Sequence, residues 1–289
     1  MPEHFVHPPA WGWWILLYFF FGGITGGAYV LGTLLRLRGG SQAHASSAFI
    51  ISFLTLIACP IFLTIDLGRP ERFYHMLFYG AINFKSWSPM SVGAWALLLF
   101  GVFSFVSFLG ALEQTGRLKG RTFSGLLSGG FGTLFTIAGA VLALFIAGYT
   151  GVLLNVTSQP VWSDTWTLGG LFVASGLSGA AAAIALFGQR TPTAESGAQD
   201  GLERADSWFI ILELILVALL IVSLGSLAAP IAAGTYGILF WIGAVVLGML
   251  VPLAAHYRWI RVSSPATLLG LVLLGNLVLR AVIIFAPQS

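Results

Sequence analysis

The segment WGWWILLYFFFGGITGGAYVLGTLL (11–35) decides the fold class of this chain. None of its 25 residues carries a charged side chain. About 20 consecutive apolar residues are enough for a helix to cross the hydrocarbon core of a bilayer. The segment therefore predicts a membrane-spanning helix close to the N-terminus.

The composition of the whole chain also predicts a membrane protein. Of its 289 residues, 57% are hydrophobic and only 8% are charged, and the mean hydropathy is +0.93. A soluble globular domain carries about 25% charged residues, so this chain has too little charge to cover a water-facing surface. Its net charge of +3 is small and its basic residues lie in loops, which does not indicate nucleic-acid binding. We therefore expect an all-α integral membrane protein.

Seven further apolar segments follow the first one. The eight predicted spans cover about 11–35, 46–66, 88–110, 126–153, 166–188, 207–227, 231–256 and 265–286. The polar stretch 189–206 is predicted to be a cytoplasmic loop between residues 1–188, with spans 1–5, and residues 207–289, with spans 6–8. FGGITGGAYVLG (21–32) and ASGLSGAAAAIA (174–185) share glycines at Gly23/Gly176 and Gly26/Gly179. This similarity favours two four-helix bundles, one of spans 1–4 (about 11–153) and one of spans 5–8.

The basic residues predict the orientation of the spans. Nine lie in the loops after spans 1, 3, 5 and 7, and three lie on the opposite side. The nine are Arg36, Arg38, Arg117, Lys119, Arg121, Arg190, Arg204, Arg258 and Arg261, and the three are Arg69, Arg72 and Lys85. Because cytoplasmic loops are enriched in Lys and Arg, both termini are predicted to lie outside the cytoplasm.

The histidines and the one cysteine argue against a resident redox cofactor. No histidine lies in the middle of a predicted span, so neither a haem nor a metal site is expected. The five histidines are His4, His7, His44, His75 and His256. Cys59 alone cannot hold an iron–sulfur cluster, which needs about four thiolates.

Three polar side chains are predicted to lie near the outer end of the first bundle. Tyr18 lies about 10 Å into span 1 at 1.5 Å per residue, Tyr149 precedes the end of span 4 by about one turn, and Asp66 ends span 2. Polar groups are costly in hydrocarbon, so their clustering indicates a site. Hydroxyl donors suit the two carbonyls of a quinone, and a carboxylate suits its proton chemistry. Taken singly, the tyrosines are also typical of an interfacial belt, and Asp66 of a helix-end partner for Arg69.

Two ionisable residues and one polar segment complete the candidates. Glu213 in span 6 and Arg280 in span 8 must face protein or water, and they are interpreted as proton-transfer groups, as a structural pair or as the lining of an internal cavity. The segment 66–95 combines charged residues, aromatic residues and Pro70. It is interpreted as the mouth of a pocket, as a docking surface or as a solvated connector.

Four pieces of sequence carry a resemblance to a known family. They are WGWWILLYFFFGGITGGAYVLG (11–32), DLGRPERF (66–73) with SPMSVGAW (88–95), GYTGVLLNVTSQPVW (148–162) and GNLVLRAVIIFAPQ (275–288). In this order and spacing they resemble the NrfD-like family, typified by the membrane subunit of polysulfide reductase, over most of the chain.

The resemblance implies a cofactor-free subunit of eight helices in a bacterial or archaeal cytoplasmic membrane. Such a subunit is not catalytic alone. It exchanges electrons between menaquinone or ubiquinone and a four-cluster iron–sulfur ferredoxin-type subunit. That partner connects to a molybdopterin catalytic subunit or a multihaem cytochrome, which sets the terminal substrate.

With this resemblance, three sets of residues are expected to carry the function. The quinone site is assigned to Tyr18, Gly22, Asp66, Arg69 and Tyr149. Proton transfer is assigned to Asp66, Glu213 and Arg280, and partner docking to Arg72, His75, Lys85 and Trp87.

The sequence departs from the family pattern at two places, and other functions stay open. Ile15 stands where polysulfide reductase has an asparagine that contacts quinone. Span 6 carries Glu213 and lacks a counterpart to an arginine of that enzyme. The alternatives are a secondary transporter or ion channel, whose polar groups would lie near the midplane, and a membrane anchor that binds no quinone.

Overall fold

Eight long helices form the molecule. The computed structural model describes residues 10–78, 84–188, 196–260, 262 and 264–289; His4, His7, Arg190 and Arg261 lie outside them. The helices are α1 (Trp13–Leu37), α2 (Gln42–Asp66), α3 (Pro89–Gln114), α4 (Gly129–Asn155), α5 (Leu168–Gly188), α6 (Ser196–Leu224), α7 (Gly234–His256) and α8 (Pro265–Phe285). Each is long and apolar enough to cross a membrane, which confirms the eight predicted spans.

Shorter helical pieces join or continue these helices. They are 3₁₀ helices at Pro70–Met76, Gly225–Ala228 and Ala286–Gln288, and short α-helices at Thr122–Leu126 and Ala229–Ala232. Within α7, the middle part Leu239–Leu250 is wound as a π-helix between two α-helical ends.

The start of α6 differs from the sequence prediction. Residues 196–206, expected in a loop, are the first turns of α6, while residues 189–195 lie outside the described part. Leu202 and Asp206 are buried on this extension. Because polar and small residues interrupt its apolar residues, a search for uninterrupted apolar segments misses it.

Two helices occupy the centre of the molecule. Helix α1 contacts α2, α4, α5 and α8, and α5 contacts α1, α2, α4, α6 and α8. In addition, α3 packs on α2 and α4, and α7 packs on α8. The contact between α1 and α5 therefore joins helices α1–α4 to helices α5–α8.

Glycines let α1 fit between its neighbours. A side chain at Gly26 would overlap the backbone of Ala143 in α4, and one at Gly27 would overlap the backbone of Gly176 in α5. A Cβ atom at Gly23 would lie 3.3 Å from the Cα atom of Gly176. Glycines on successive turns of α1 thus allow its backbone to contact α4 on one side and α5 on another.

Candidate functional site

Tyr18 lies where α1, α2 and α4 meet. The side chain is only 3% exposed. One turn further along α1, a Cβ atom at Gly22 would lie 3.9 Å from Cε2 of Tyr18, 3.7 Å from Cγ2 of Thr150 and 4.0 Å from Sγ of Cys59. Four residues from three helices therefore surround one small space inside the protein.

The hydroxyl of Tyr18 is the unsatisfied group in this space. It makes no hydrogen bond to the described residues, whereas the Thr150 hydroxyl donates to the carbonyl of Ala147 at 2.9 Å and the Cys59 thiol to that of Thr55 at 3.5 Å. This hydroxyl is not one of the fully enclosed polar atoms of the described residues that lack a partner, so it keeps some accessible surface. A ligand or a water molecule can therefore accept a hydrogen bond from it.

Tyr149 is held against the start of α3. Its hydroxyl donates to the carbonyl of Pro89 at 2.7 Å, and its ring stacks on Phe145 with centroids 5.6 Å apart. The ring lies directly over Gly93, where any side chain would overlap it. The hydroxyls of Tyr149 and Tyr18 lie within electrostatic range of one another. The structure thus brings together the two tyrosines that the sequence singled out.

Asp66 lies further towards the helix end than the two tyrosines. It is the last residue of α2, seven residues after Cys59, which corresponds to about 10 Å along the helix axis. Both Asp66 and Arg69 are exposed. No ion pair joins them; in the described ranges the acid–base pair within 4.0 Å is Asp206 with His256. The structure therefore does not pair Asp66 with Arg69 and places its carboxylate at the protein surface.

An apolar cleft of about 520 Å³ lies beside Tyr149, between α3 and α4. Its lining includes Trp95 and Leu99 from α3 and Leu142 and Phe145 from α4. Leu99 and Phe145 are largely exposed, so the cleft opens on the outer surface of the helices. Phe145 lines the cleft and stacks on Tyr149, so one aromatic ring lies between the cleft and the tyrosine.

A second polar cluster lies on the other side of α1 and centres on Arg280. This arginine is 1% exposed. Its Nη1 donates to the Ser175 hydroxyl at 2.6 Å and to the Asn276 carbonyl at 3.2 Å, and its Nη2 donates to the Phe172 carbonyl at 3.2 Å. A Cβ atom at Gly23 would lie 2.6 Å from Nη2. The guanidinium therefore lies against α1 at Gly23, which is about 100° around the helix axis from Gly22.

Buried acidic groups extend this cluster along α6. Glu213 is buried, its Oε1 has no hydrogen-bond partner among the described residues, and it interacts electrostatically with Arg280 and Asp206. Asp206 accepts a hydrogen bond from the Ser178 hydroxyl at 2.7 Å and lies 3.2 Å from Nε2 of His256. A row of ionisable side chains thus runs from Arg280 through Glu213 and Asp206 to His256, the last residue of α7.

Sequence reasoning missed several members of this second cluster. Asp206 was assigned to a loop, and the serines of α5 are common in membrane helices. One signal could have found the acid: Asp206 lies seven residues before Glu213, which places both carboxylates on one face of a helix. Serine side chains that pair with residues about 100 positions away give no local signal.

The predicted docking residues lie near the same end of the molecule as Asp66. Arg72 and Lys85 are exposed, His75 is half-buried on the 3₁₀ helix Pro70–Met76, and Trp87 is 80% exposed. Phe73 beside them is also largely exposed. This surface combines positive charge with uncovered aromatic rings.

The described part of the chain holds no group of three or more His, Cys, Asp and Glu side chains placed to bind a metal ion. The functional groups of both clusters are instead hydroxyls, carboxylates and a guanidinium, which can donate, accept or transfer protons.

Comparison with known proteins identifies similar sequences. The sequence profile of the family described as "Polysulphide reductase, NrfD" matches residues 2–289. This protein is 28% identical to a polysulfide reductase chain of Wolinella succinogenes over 309 residues, covering 97% of this protein and 95% of the relative. It is 29% identical to Protein NrfD of Escherichia coli over 313 residues, covering 96% and 95%. Similarity to a selenate reductase subunit of Mesobacillus selenatarsenatis is 28% over 203 residues, covering 62% and 48%.

Proposed function

This chain belongs to the polysulphide reductase NrfD family, and we propose that it is the quinone-binding membrane subunit of a respiratory oxidoreductase complex. Two of its relatives are named as parts of a polysulfide and a selenate reductase. In such a complex this chain exchanges electrons between a quinone and a docked partner. The partner subunits set the terminal substrate.

The hydroxyl of Tyr18 carries this proposal, because it has no hydrogen-bond partner among the described residues although the side chain as a whole is buried. A quinone offers two carbonyl oxygens that accept hydrogen bonds, and Tyr18 and Tyr149 supply two phenolic donors. Each phenol has a single proton, so donation by Tyr149 to the quinone replaces its bond to Pro89. Gly22 carries no side chain between Tyr18 and Thr150, where a Cβ atom would already be in van der Waals contact, so a ring that enters there requires the surrounding side chains to move.

The apolar cleft between α3 and α4 supports the same assignment. Its position beside Phe145 and Tyr149 offers a route from the lipid to the headgroup site. Its apolar lining suits an isoprenoid tail, because the lining side chains are as apolar as the lipid chains that the tail leaves.

Asp66 exchanges protons between the site and the outer aqueous phase. Its exposure at the end of α2 suits contact with water, and its distance of about 10 Å from the level of Cys59 requires a water molecule or a second group between it and the quinone. Arg69, three residues later, keeps positive charge near this end of the helix.

The exposed surface around Arg72, His75, Lys85 and Trp87 docks the electron-transfer partner. We assign to it a four-cluster iron–sulfur ferredoxin-type subunit, which connects to a molybdopterin subunit or a multihaem cytochrome. Exposed tryptophan and arginine side chains are frequent anchors of protein interfaces. The surface lies at the end of α2 and the start of α3, next to the tyrosine site.

Glu213 and Arg280 transfer protons within the second half of the molecule. Ionisable residues inside spanning helices are rare and usually functional. The unpartnered Oε1 of Glu213 and the following Asp206 and His256 support a route towards the end of α7, predicted to be cytoplasmic. Only the width of α1 separates Arg280 from the tyrosine site.

Substitution of the tyrosines tests the proposal. Tyr18→Phe removes one donor, so the dissociation constant for menaquinone or ubiquinone should rise about fivefold for a hydrogen bond of about 1 kcal/mol. The matched control is Tyr29→Phe, which removes another buried hydroxyl, bonded to Ser107 at 2.8 Å and outside the site. Binding is measured on the purified protein by fluorescence quenching, with thermal melting to verify the fold.

Two further variants separate the roles within the site. Tyr149→Phe should weaken quinone binding, and Asp66→Asn should lower quinone turnover by the assembled complex while leaving affinity within about twofold. Unchanged turnover in both variants and in Tyr18→Phe would refute the site. A complex that assembles normally but whose membrane subunit binds no quinone would instead indicate a membrane anchor.

A further inference from the structure

A polar cavity of about 580 Å³ lies at the opposite end of helices α1–α3 from Tyr18. It is enclosed by the end of α1, the start of α2, the end of α3 and the short helix Thr122–Leu126. Along α1, Arg36 at this end and Tyr18 are 18 residues apart, or about 27 Å. The cavity is therefore separate from the proposed quinone site. Its polar lining consists mainly of Arg36, Gln42, Glu113, Gln114, Arg121 and Ser124.

The charge of this cavity is positive. Arg36 and Arg121 both line it, and neither has a carboxylate within 4.0 Å among the described residues. Glu113 is the one carboxylate of the lining, and its Oε2 accepts the backbone N–H of Ser124 at 2.7 Å. This hydrogen bond fixes the carboxylate but does not remove its charge, so two guanidinium groups and one carboxylate leave the lining with a net charge of +1 that attracts an anion.

Neutral donors add to the two arginines. Gln114 accepts a hydrogen bond from Ser46 through Oε1 at 3.1 Å, and its amide N–H groups donate to none of the described residues. Gln42 begins α2, and the preceding Ser41 makes no side-chain cap, so the N–H groups of the first turn also lack a side-chain acceptor. An anion in the cavity would thus meet charged and neutral donors together.

The helices that enclose the cavity also carry exposed apolar side chains. Leu34 and Leu37 on α1 and Leu126 at the end of the short helix are largely exposed, and none of the three lines the cavity itself. This end of the helices carries the basic loops that are predicted to face the cytoplasm. A guanidinium pocket next to exposed leucines fits a molecule with an anionic head and an apolar tail.

We propose that this cavity binds the phosphate headgroup of an anionic phospholipid of the inner leaflet. Basic pockets between spanning helices on the cytoplasmic side bind such headgroups, and arginine pairs with phosphate in a bidentate geometry. Inorganic phosphate shares the anionic chemistry but has no apolar tail to contact the exposed leucines of the enclosing helices. A lipid headgroup is therefore the ligand that fits both the two arginines and the apolar helix surfaces beside them.

Native mass spectrometry of the full-length protein in detergent tests this assignment. The protein is titrated with phosphatidylglycerol, with phosphatidylcholine and, in competition, with inorganic phosphate. The double variant Arg36→Gln/Arg121→Gln should bind phosphatidylglycerol at least tenfold more weakly than the unchanged protein. The matched control Arg38→Gln/Arg117→Gln removes the same charge from exposed positions outside the cavity, and its affinity should change less than twofold.

A third variant gives a change of opposite sign, which a folding defect would not produce. Glu113→Gln removes the carboxylate of the lining and should tighten phosphatidylglycerol binding severalfold. Equal losses in the two double variants, or equal binding of phosphatidylcholine and phosphatidylglycerol, would overturn the site. Displacement of the lipid by inorganic phosphate at equal concentration would overturn the headgroup assignment and make soluble phosphate the ligand.

Discussion

Replacement of Gly93 by alanine would place a methyl group inside the ring of Tyr149. The added Cβ atom would overlap the ring and hydroxyl of Tyr149 far below the 3.0 Å that real Cβ atoms respect. Ordinary carbon contacts lie at about 3.5–4.0 Å, so the ring must retreat by about 1 Å or more. The hydrogen bond from Tyr149 to Pro89, now 2.7 Å, would then exceed the 3.5 Å limit and be lost.

The energetic cost of this substitution has three parts. Overpacking costs about 1–3 kcal/mol, loss of the hydrogen bond costs about 1 kcal/mol, and alanine in a helix returns about 0.5–1 kcal/mol relative to glycine. The net loss of stability is about 1–3 kcal/mol, which lowers the melting temperature. Because an error of 1 Å in a site can cost about 100-fold in rate, quinone turnover by the assembled complex should fall at least about tenfold.

Gly101→Ala provides the matched control on the same helix. No atom lies within 4 Å of a Cβ atom at Gly101, so this variant should keep its turnover within about twofold and melt at or slightly above the original temperature. The two variants are compared by quinone-dependent turnover and by thermal melting in the same detergent. If Gly93→Ala were indistinguishable from Gly101→Ala in both assays, the close packing of Tyr149 on α3 and its role in the site would be refuted.

Two other predictions concern the second cluster and the orientation of the protein. Arg280→Met removes three hydrogen bonds that the guanidinium donates to Ser175, Asn276 and Phe172, and also the cation that interacts with Glu213, so it should lower stability by about 1–3 kcal/mol or more. Because the two groups interact, the double variant Arg280→Met/Glu213→Gln should lose less melting temperature than the two single variants together; additive losses of melting temperature would contradict the coupling. A membrane-impermeant maleimide added to whole spheroplasts should label Ser163→Cys and leave Thr122→Cys unlabelled. Both positions are exposed and are predicted to lie on opposite sides of the membrane, and the native Cys59 is buried. The reverse labelling pattern would show that the predicted orientation is wrong.

Hydropathy was sufficient to predict the eight helices, because a spanning helix must satisfy its backbone hydrogen bonds internally and cover itself with apolar side chains. The same criterion failed at the start of α6. There, polar residues face away from Leu202 and Asp206, which are buried. An amphipathic helical extension has no apolar run to detect, so its pattern resembles that of a loop.

The site was predictable only in part. Tyr18 and Tyr149 could be placed together by counting residues from the helix ends, since both lie on long, regular helices. Counting residues along the helices could not predict the hydrogen bond from Tyr149 to the carbonyl of Pro89, because that bond depends on the absence of a side chain at Gly93. Nor did it show that Asp66 lies outside the level of the tyrosines: the predicted end of α2 at Asp66 was right, but counting along separate helices does not fix how far they are shifted relative to one another.

The two faces of α1 have a mechanical consequence. Gly26 and Gly27 set its backbone directly against α4 and α5, so there is no layer of flexible side chains to absorb a small displacement. Helix α1 should therefore move as a rigid body between the two clusters. If a ring that enters beside Gly22 displaced α1 by a fraction of an ångström, Gly23 would move against the guanidinium of Arg280. Quinone occupancy at Tyr18 would then change the surroundings of Arg280 although no ligand contacts both sites.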